Sequence, residues 1–259
     1  MSIAANDRIL LGEGLFETIR FENRAPCYPK LHWQRLQKSA TSLNISIKLT
    51  YQEWHAKIAQ CIQETNLDSG GVKIILSAGE APRGLEAIGK NPYFIFSAFP
   101  LKPALNALNL ISAEWRRDPK NPVYRLKTTN YLEAILARKK ALAQGADDAL
   151  FFNTDSFATE TTVANLFIIK ENQVLTPSLS CGLLPGILRR RILDICPLAG
   201  IDCQETYIDY KMIMNAEAVF VTNALQGIRP VASFEAVPFA NRNALFSYVQ
   251  LLIKNDDKS

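Results

Sequence analysis

The sequence is poor in the residues that build metal sites and disulfide frameworks. His32 and His55 are the two histidines among 259 residues. No acidic residues gather around either at ligand spacing, which speaks against a histidine-based metal centre. The five cysteines, Cys27, Cys61, Cys181, Cys196 and Cys203, are odd in number and form no CxxC pair, so they read as reduced core thiols. No apolar run approaches the length that crosses a bilayer. The opening MSIAANDRILLGEG lacks the charged-then-apolar layout of a secretion signal, because Asp7, Arg8 and Glu13 interrupt it. These absences point to the cytoplasm and away from a membrane. Concentrated basic charge is also missing. The net charge is +4 and the one dense block is Arg189-Arg190-Arg191, too little to argue for nucleic acid. A mildly positive surface suits small anionic ligands instead.

What is present is an ordinary soluble composition, 48% hydrophobic and 21% charged, in a chain long enough for one large domain or two ordinary ones. β-branched and aromatic runs predict strands at 15–21, 72–78 and 93–99. Helices are expected at 29–44, opening at Pro29, and at 51–66. Prolines at 100, 103, 119 and 122 mark a linker around a strand near 107–115. The domain boundary is placed at 102–106, giving an N-terminal α/β domain over 1–104 and a C-terminal domain over 105–259. In the second half a helix at 130–144 is expected to open on Asn130 with Glu133 as its capping-box partner. Strands follow at 147–153, 163–169, 203–208, 217–222 and 228–232, with helices at 186–196 and 240–254. Helices and strands mix without strict alternation, so the fold class is α+β, a mixed α/β, and not a doubly wound sheet.

Four features carry chemistry. Lys127, in RLKTTNYL, lies between a strand and a helix cap, where an amine can project into a cleft; taken alone, a lysine reads far more often as a solvated side chain. Glu160, in ATETTVANLF, stands before an apolar strand, where a carboxylate can pair with a protonated ring nitrogen, or simply end a strand in solvent. GLLPGILRRRI leads glycine and proline into a helix whose first N–H groups can bind phosphate. His32 and Arg35 share a helix face, and Arg35 can take phosphate oxygens with two donors at once.

Taken in order, GEGLFETIR, HWQRL, APRGL, LKTTNYL, ATETTVANLF, TPSLSCGLLPGILRR and VTNALQGIRPV resemble the fold-type IV pyridoxal-phosphate enzymes. That family holds branched-chain aminotransferases, D-amino acid aminotransferases and 4-amino-4-deoxychorismate lyases. The resemblance runs from about residue 12 to 235. It implies the two-domain D-amino acid aminotransferase-like fold, a cofactor in the cleft between the domains, and a homodimer. It also implies roles: Lys127 as the Schiff-base lysine, Glu160 on the pyridine nitrogen, Arg35 on the phosphate, Ile187 and Leu188 as backbone amides at the phosphate helix, and Asn223 and Ala224 as a second phosphate turn. Leu188 stands where aminotransferases often have threonine, and Ser156-Phe157 where relatives often have glycine.

The substrate pocket decides among members. Phe16 and Leu85 replace the tyrosine and histidine with which D-amino acid aminotransferases trap a carboxylate, leaving Arg83 alone of that trio. Thr18 replaces the glycine of branched-chain aminotransferases. Thr18, Arg83-Gly84 and the NALQGIRPV turn look closest to the lyases. The expected reaction is therefore conversion of 4-amino-4-deoxychorismate to p-aminobenzoate and pyruvate, for folate biosynthesis. Lys127 is its base, Lys127 or Thr18 its proton donor, and Phe16, Arg83 and Tyr131 line the substrate; Arg125 and Arg20 are weaker candidates for the second carboxylate. An aminotransferase, or a non-catalytic cofactor-binding protein, are the alternatives.

Overall fold

In a computed structural model the described residues are 3–101, 107–239, 243–256 and 258. The chain forms two compact units, one of residues 1–103, 126–131 and 258–259, the other of 104–125 and 132–257. The boundary expected at 102–106 lies outside the described residues. By its contacts Lys127 belongs to the first unit, although it follows that boundary.

In the first unit β1 (Gly14–Glu22), β2 (Ala25–Pro26), α1 (Pro29–Ser42), α2 (Tyr51–Gln63), β3 (Gly70–Ser77) and β4 (Tyr93–Phe99) build an antiparallel sheet in the order β2-β1-β3-β4. Alternation along β1 buries Leu15, Glu17, Ile19 and Phe21, and leaves Phe16, Thr18 and Arg20 half-buried on the opposite face. The apolar members of the buried set pack with Trp33, Leu36, Trp54, Ile58 and Ile62 from α1 and α2. Helix α2 opens with a capping box between Thr50 and Glu53.

The second unit runs β5 (Leu108–Ser112), α3 (Leu132–Ala143), β6 (Asp148–Phe152), β7 (Ala158–Thr161), β8 (Asn165–Lys170), β9 (Gln173–Pro177), α4 (Ile187–Leu198), β10 (Cys203–Thr206), α5 (Tyr210–Met214), β11 (Ala218–Asn223), β12 (Gly227–Phe234), β13 (Val237–Pro238) and α6 (Ala244–Lys254). Its sheet follows the order β10-β9-β8-β11-β12-β5-β6-β7, and β7 also pairs with β8. Six strands thereby close on themselves, with Glu160 opposite Asn165 at the closure. The core lies inside, among Leu150, Phe152, Leu166, Ile168, Val219, Val221 and Phe234.

The mixed α/β class expected from the sequence is what forms. Three local readings change. Glu160 lies inside β7, a strand whose ATET sequence lacks the apolar alternation that would announce it. Helix α3 starts at Leu132, and the Glu133 carboxylate accepts from Trp115 Nε1, Tyr124 OH and Arg117 Nε, while the Asn130 N–H donates to Thr128 Oγ1. The expected Asn130–Glu133 capping box therefore gives way to an arginine. The helix expected over 240–254 is α6 from Ala244, capped by Asn243; residues 240–242 lie outside the described set. Among the described residues no helix is long and apolar enough to cross a membrane.

Ser156 has a φ of 67°, the left-handed region where a side chain crowds the following carbonyl. Ser156→Gly relieves the clash and adds chain freedom to the unfolded state, so we expect a net gain of roughly 0.5 kcal/mol in urea denaturation; a loss of stability would show that the Ser156 side chain holds the turn.

Candidate active site

Residues 127–129 lie alongside the start of β1. The Phe16 N–H donates to the Lys127 carbonyl at 2.8 Å, the Thr129 N–H to the Gly14 carbonyl at 2.9 Å, and Leu15 pairs with Thr128. This places the Lys127 ammonium 4.4 Å from the centre of the Phe16 ring and 3.1 Å from Tyr131 OH, to which it donates. The Phe16 and Tyr131 rings meet edge to face at 5.1 Å. Lys73 also approaches Phe16, at 4.9 Å. Thr18 is the next residue after Phe16 on that face of β1, one strand repeat of about 6.6–6.8 Å along it. Structure thus brings Lys127, Phe16 and Tyr131 into contact and puts Thr18 beside them.

On the other face of β1 the buried carboxylate of Glu17 accepts two bonds from Arg35, Nε at 2.8 Å and an Nη at 2.6 Å, and one from His32 Nδ1 at 2.6 Å. Burial alone pushes the Glu17 pKa up, but the Arg35 guanidinium and His32 outweigh it and bring it down to about 2. Burial lowers the pKa of His32, with Glu17 opposing and Arg35 and Lys127 adding to the fall. We assign His32 as neutral, donating from Nδ1. Its Nε2 is buried and meets no hydrogen-bond partner among the described residues. Arg35, expected on a phosphate, is here a fork closed on Glu17. Glu17 itself escaped the sequence reading. The signal was its place in the buried phase of β1, between Leu15 and Ile19.

In the second unit Glu160 is held from two sides, by Arg117 on Oε1 at 3.1 Å and by Asn165 Nδ2 on Oε2 at 3.2 Å. Arg117 is buried, stacks 3.6 Å from the Phe151 ring centre and bridges on to Glu133. Neither Arg117 nor Asn165 was singled out from the sequence. Asn165 left a trace there as the one polar residue of the buried run NLFII. Helix α4 starts at Ile187 and Leu188 with Gly186 as its N-cap and no side-chain cap, so its first N–H groups face outward from the helix end. Arg189 points away from that end, to the Pro177 carbonyl and Glu205. At the turn between β11 and β12, Asn223 Oδ1 accepts from the Leu225 and Gln226 N–H groups, with Ala224 between. Arg83 is exposed on the loop 79–92, which Arg8 anchors by donating to the Gly84 carbonyl at 2.9 Å. Arg125 is exposed on a 3-10 turn, and Arg20 pairs with Glu22.

The family model described as amino-transferase class IV matches residues 14–234. The chain belongs to that family, whose cofactor is pyridoxal 5′-phosphate, and it is an enzyme of lyase or aminotransferase type. A crystal structure from Legionella pneumophila subsp. pneumophila, provisionally named a 4-amino-4-deoxychorismate lyase, is 44% identical, with 99% of this chain and 96% of that one covered and a TM-score of 0.97. A Methanocaldococcus jannaschii protein, provisionally named a branched-chain-amino-acid aminotransferase, is 30% identical over 241 residues, 90% of this chain and 83% of its own. The aminodeoxychorismate lyase of Vibrio harveyi is 28% identical over 232 residues, 87% of this chain and 84% of its own.

The residues present fit the cofactor. An amine stands against aromatic rings, a carboxylate is fixed by two donors, and a helix start lies behind a glycine whose Cβ would overlap Asn165 Oδ1. Two buried hydroxyls near these elements, Thr129 Oγ1 and Thr222 Oγ1, have no partner among the described residues.

The folded pKa of Glu17 lies below its ordinary 4.5. Its stabilisation is therefore present above that value and is lost as the pH falls toward about 2. His32 acts in the same direction from higher pH, because the unfolded chain takes up a proton near 6.5 that the folded His32 resists. Glu17→Gln takes away the buried carboxylate charge that Arg35 and His32 bond to and should cost about 3–5 kcal/mol. In that variant the His32 ring should titrate lower still by NMR; an unchanged titration would mean that Glu17 does not control it.

Proposed function

We propose that the protein is a pyridoxal-phosphate-dependent 4-amino-4-deoxychorismate lyase. The observation that carries this reading is the face of β1 beneath Lys127: an apolar Phe16 ring against the amine, then a hydroxyl at Thr18. An aminotransferase trapping a carboxylate there would want a polar group at 16; a lyase needs a proton donor for a departing oxygen. The likeness over nearly the whole chain to proteins bearing the lyase name supports it.

Lys127 would anchor the cofactor aldehyde, Glu160 would pair with its ring nitrogen, and Arg35, which also holds Glu17, the first amides of α4 at Ile187 and Leu188, and the Asn223-Ala224 turn would hold its phosphate. Pyridoxal phosphate, when bound, supplies an aldehyde that condenses with amines and a ring that accepts the electron pair of the neighbouring C–H bond. Lys127 Nζ, as a free amine, would take the proton from the substrate carbon that bears the amine. The bond from the ring carbon to the enolpyruvyl oxygen would then break, Thr18 Oγ1 or the Lys127 ammonium would give that oxygen its proton, and the enol so released would become pyruvate by tautomerisation. The products, p-aminobenzoate and pyruvate, together contain the atoms of the substrate, and formation of the aromatic ring drives the step. Glu160 keeps the ring nitrogen protonated, and Arg83 takes one substrate carboxylate.

The protein works as a homodimer. The outer face of α3 presents Leu132, Ile135, Leu136 and Leu142, each 45–62% exposed, an apolar surface for a partner to cover. Leu136→Asp should convert the dimer to monomer in light scattering; an unchanged mass would remove α3 from the interface.

With 4-amino-4-deoxychorismate, pyruvate and p-aminobenzoate should appear in equal amounts, with little glutamate formed from 2-oxoglutarate and branched-chain L-amino acids or D-alanine. Lys127→Ala should abolish turnover, and Thr18→Val should lower kcat by about 10²–10⁴-fold while leaving cofactor absorbance intact. Rapid glutamate formation without pyruvate would make the protein an aminotransferase, and no reaction with any substrate would favour a non-catalytic binding protein.

A further inference from the structure

Asn165 opens β8 in the second unit, buried and directly opposite Glu160 at the closure of the strand ring. Its side chain meets three things at once. Nδ2 donates to Glu160 Oε2 at 3.2 Å and to the Leu184 carbonyl at 2.9 Å. Oδ1 lies against Gly186, so closely that any side chain at 186 would overlap it. Leu184 and Gly186 are the residues that lead into α4, and Gly186 is its N-cap. The amide group thus links the carboxylate of β7 directly to the turn that starts α4. Both of its amide hydrogens are engaged, so it has no freedom to follow one neighbour without the other.

We propose that Asn165 is a positioning residue that fixes the span between the carboxylate pairing with the cofactor ring nitrogen and the helix start holding its phosphate. The inference rests on the reading of Glu160 and α4 given above. A rigid cofactor held at both ends gains from the second contact only if the two anchors are already at the right separation; a loose span returns that gain as entropy lost on binding. Asn165 sets the separation before the cofactor arrives. The chemistry that follows depends on the same link, because a ring nitrogen displaced from Glu160 loses its charge-assisted bond.

The test compares pyridoxal phosphate with pyridoxal, which lacks the phosphate, by visible absorbance titration of the apoprotein. The wild type should prefer the phosphorylated form by at least a hundredfold. Asn165→Ala removes the link, and the preference should fall tenfold or more. Asn165→Asp is nearly isosteric, cannot donate to Glu160 and places a second negative charge beside it. It should lower the preference as well, and also shift the pH at which the bound cofactor's absorption changes; it serves if the alanine variant fails to fold. Apoprotein Tm is measured alongside. If the wild-type preference is large and both variants keep it, the inference is overturned while the site reading stands. A parallel loss of affinity for both ligands, tracking the fall in Tm, overturns it too, since a merely structural asparagine would do that. A wild type with no preference for the phosphate overturns the reading of α4 and this inference with it.

Discussion

Two main-chain hydrogen bonds, from Phe16 to the Lys127 carbonyl and from Thr129 to the Gly14 carbonyl, set where the amine of Lys127 can stand. They involve no side chain, so they persist whatever residues occupy positions 16 and 18. Strand alternation then divides the work of β1. Leu15, Ile19 and Phe21 enter the core with α1 and α2, and Glu17 enters with them to bind Arg35 and His32. Phe16 and Thr18 face the other way. A family can therefore change its reaction at the half-buried phase of β1 while the lysine and the buried charges stay where they are.

The second unit solves a harder problem, because it buries ionic groups between its closed sheet and α3. Arg117 is 5% exposed and would be costly there alone. It is compensated by Glu133 and Glu160 and by the faces of Phe151 and Tyr124. Removing either carboxylate would leave that charge short of partners, so each acid is held in place by the need of the arginine as much as by its own. The capping box expected at Asn130 and Glu133 loses to this arrangement for the same reason: a backbone N–H near the surface has water as an alternative, and a buried guanidinium has none.

Much of the fold was legible in the sequence because its strands and helices carry strong patterns. YFIFSAF and VKIILSA could scarcely be anything else, and Pro29 announces α1. β7 was not legible, since ATET has neither alternation nor bulk and exists through its neighbours on both sides. Within the candidate site, Lys127, Glu160, Arg35 and the start of α4 stood out through their chemistry and family resemblance. Glu17, Arg117 and Asn165 did not, because each acts on another side chain, and a partner distant in sequence leaves no local mark. Glu17 and Asn165 were visible only as polar residues in buried phases of strands, a pattern that signals a compensated group without naming its partner.

The proposed role of Lys127 needs a group that is held in two protonation states. As an ammonium it gains from the π face of Phe16, a contribution of roughly 0.5–2 kcal/mol, and donates to Tyr131 OH. As a free amine it loses the ring's attraction, but the same hydroxyl can reverse the bond and donate to the nitrogen lone pair, since a phenol is both donor and acceptor. In the proposed role Tyr131 would keep Nζ in place through proton uptake and release. The Phe16 ring and the Tyr131 phenol thus hold the amine in position, and the proposed taking and returning of a proton needs an amine so placed.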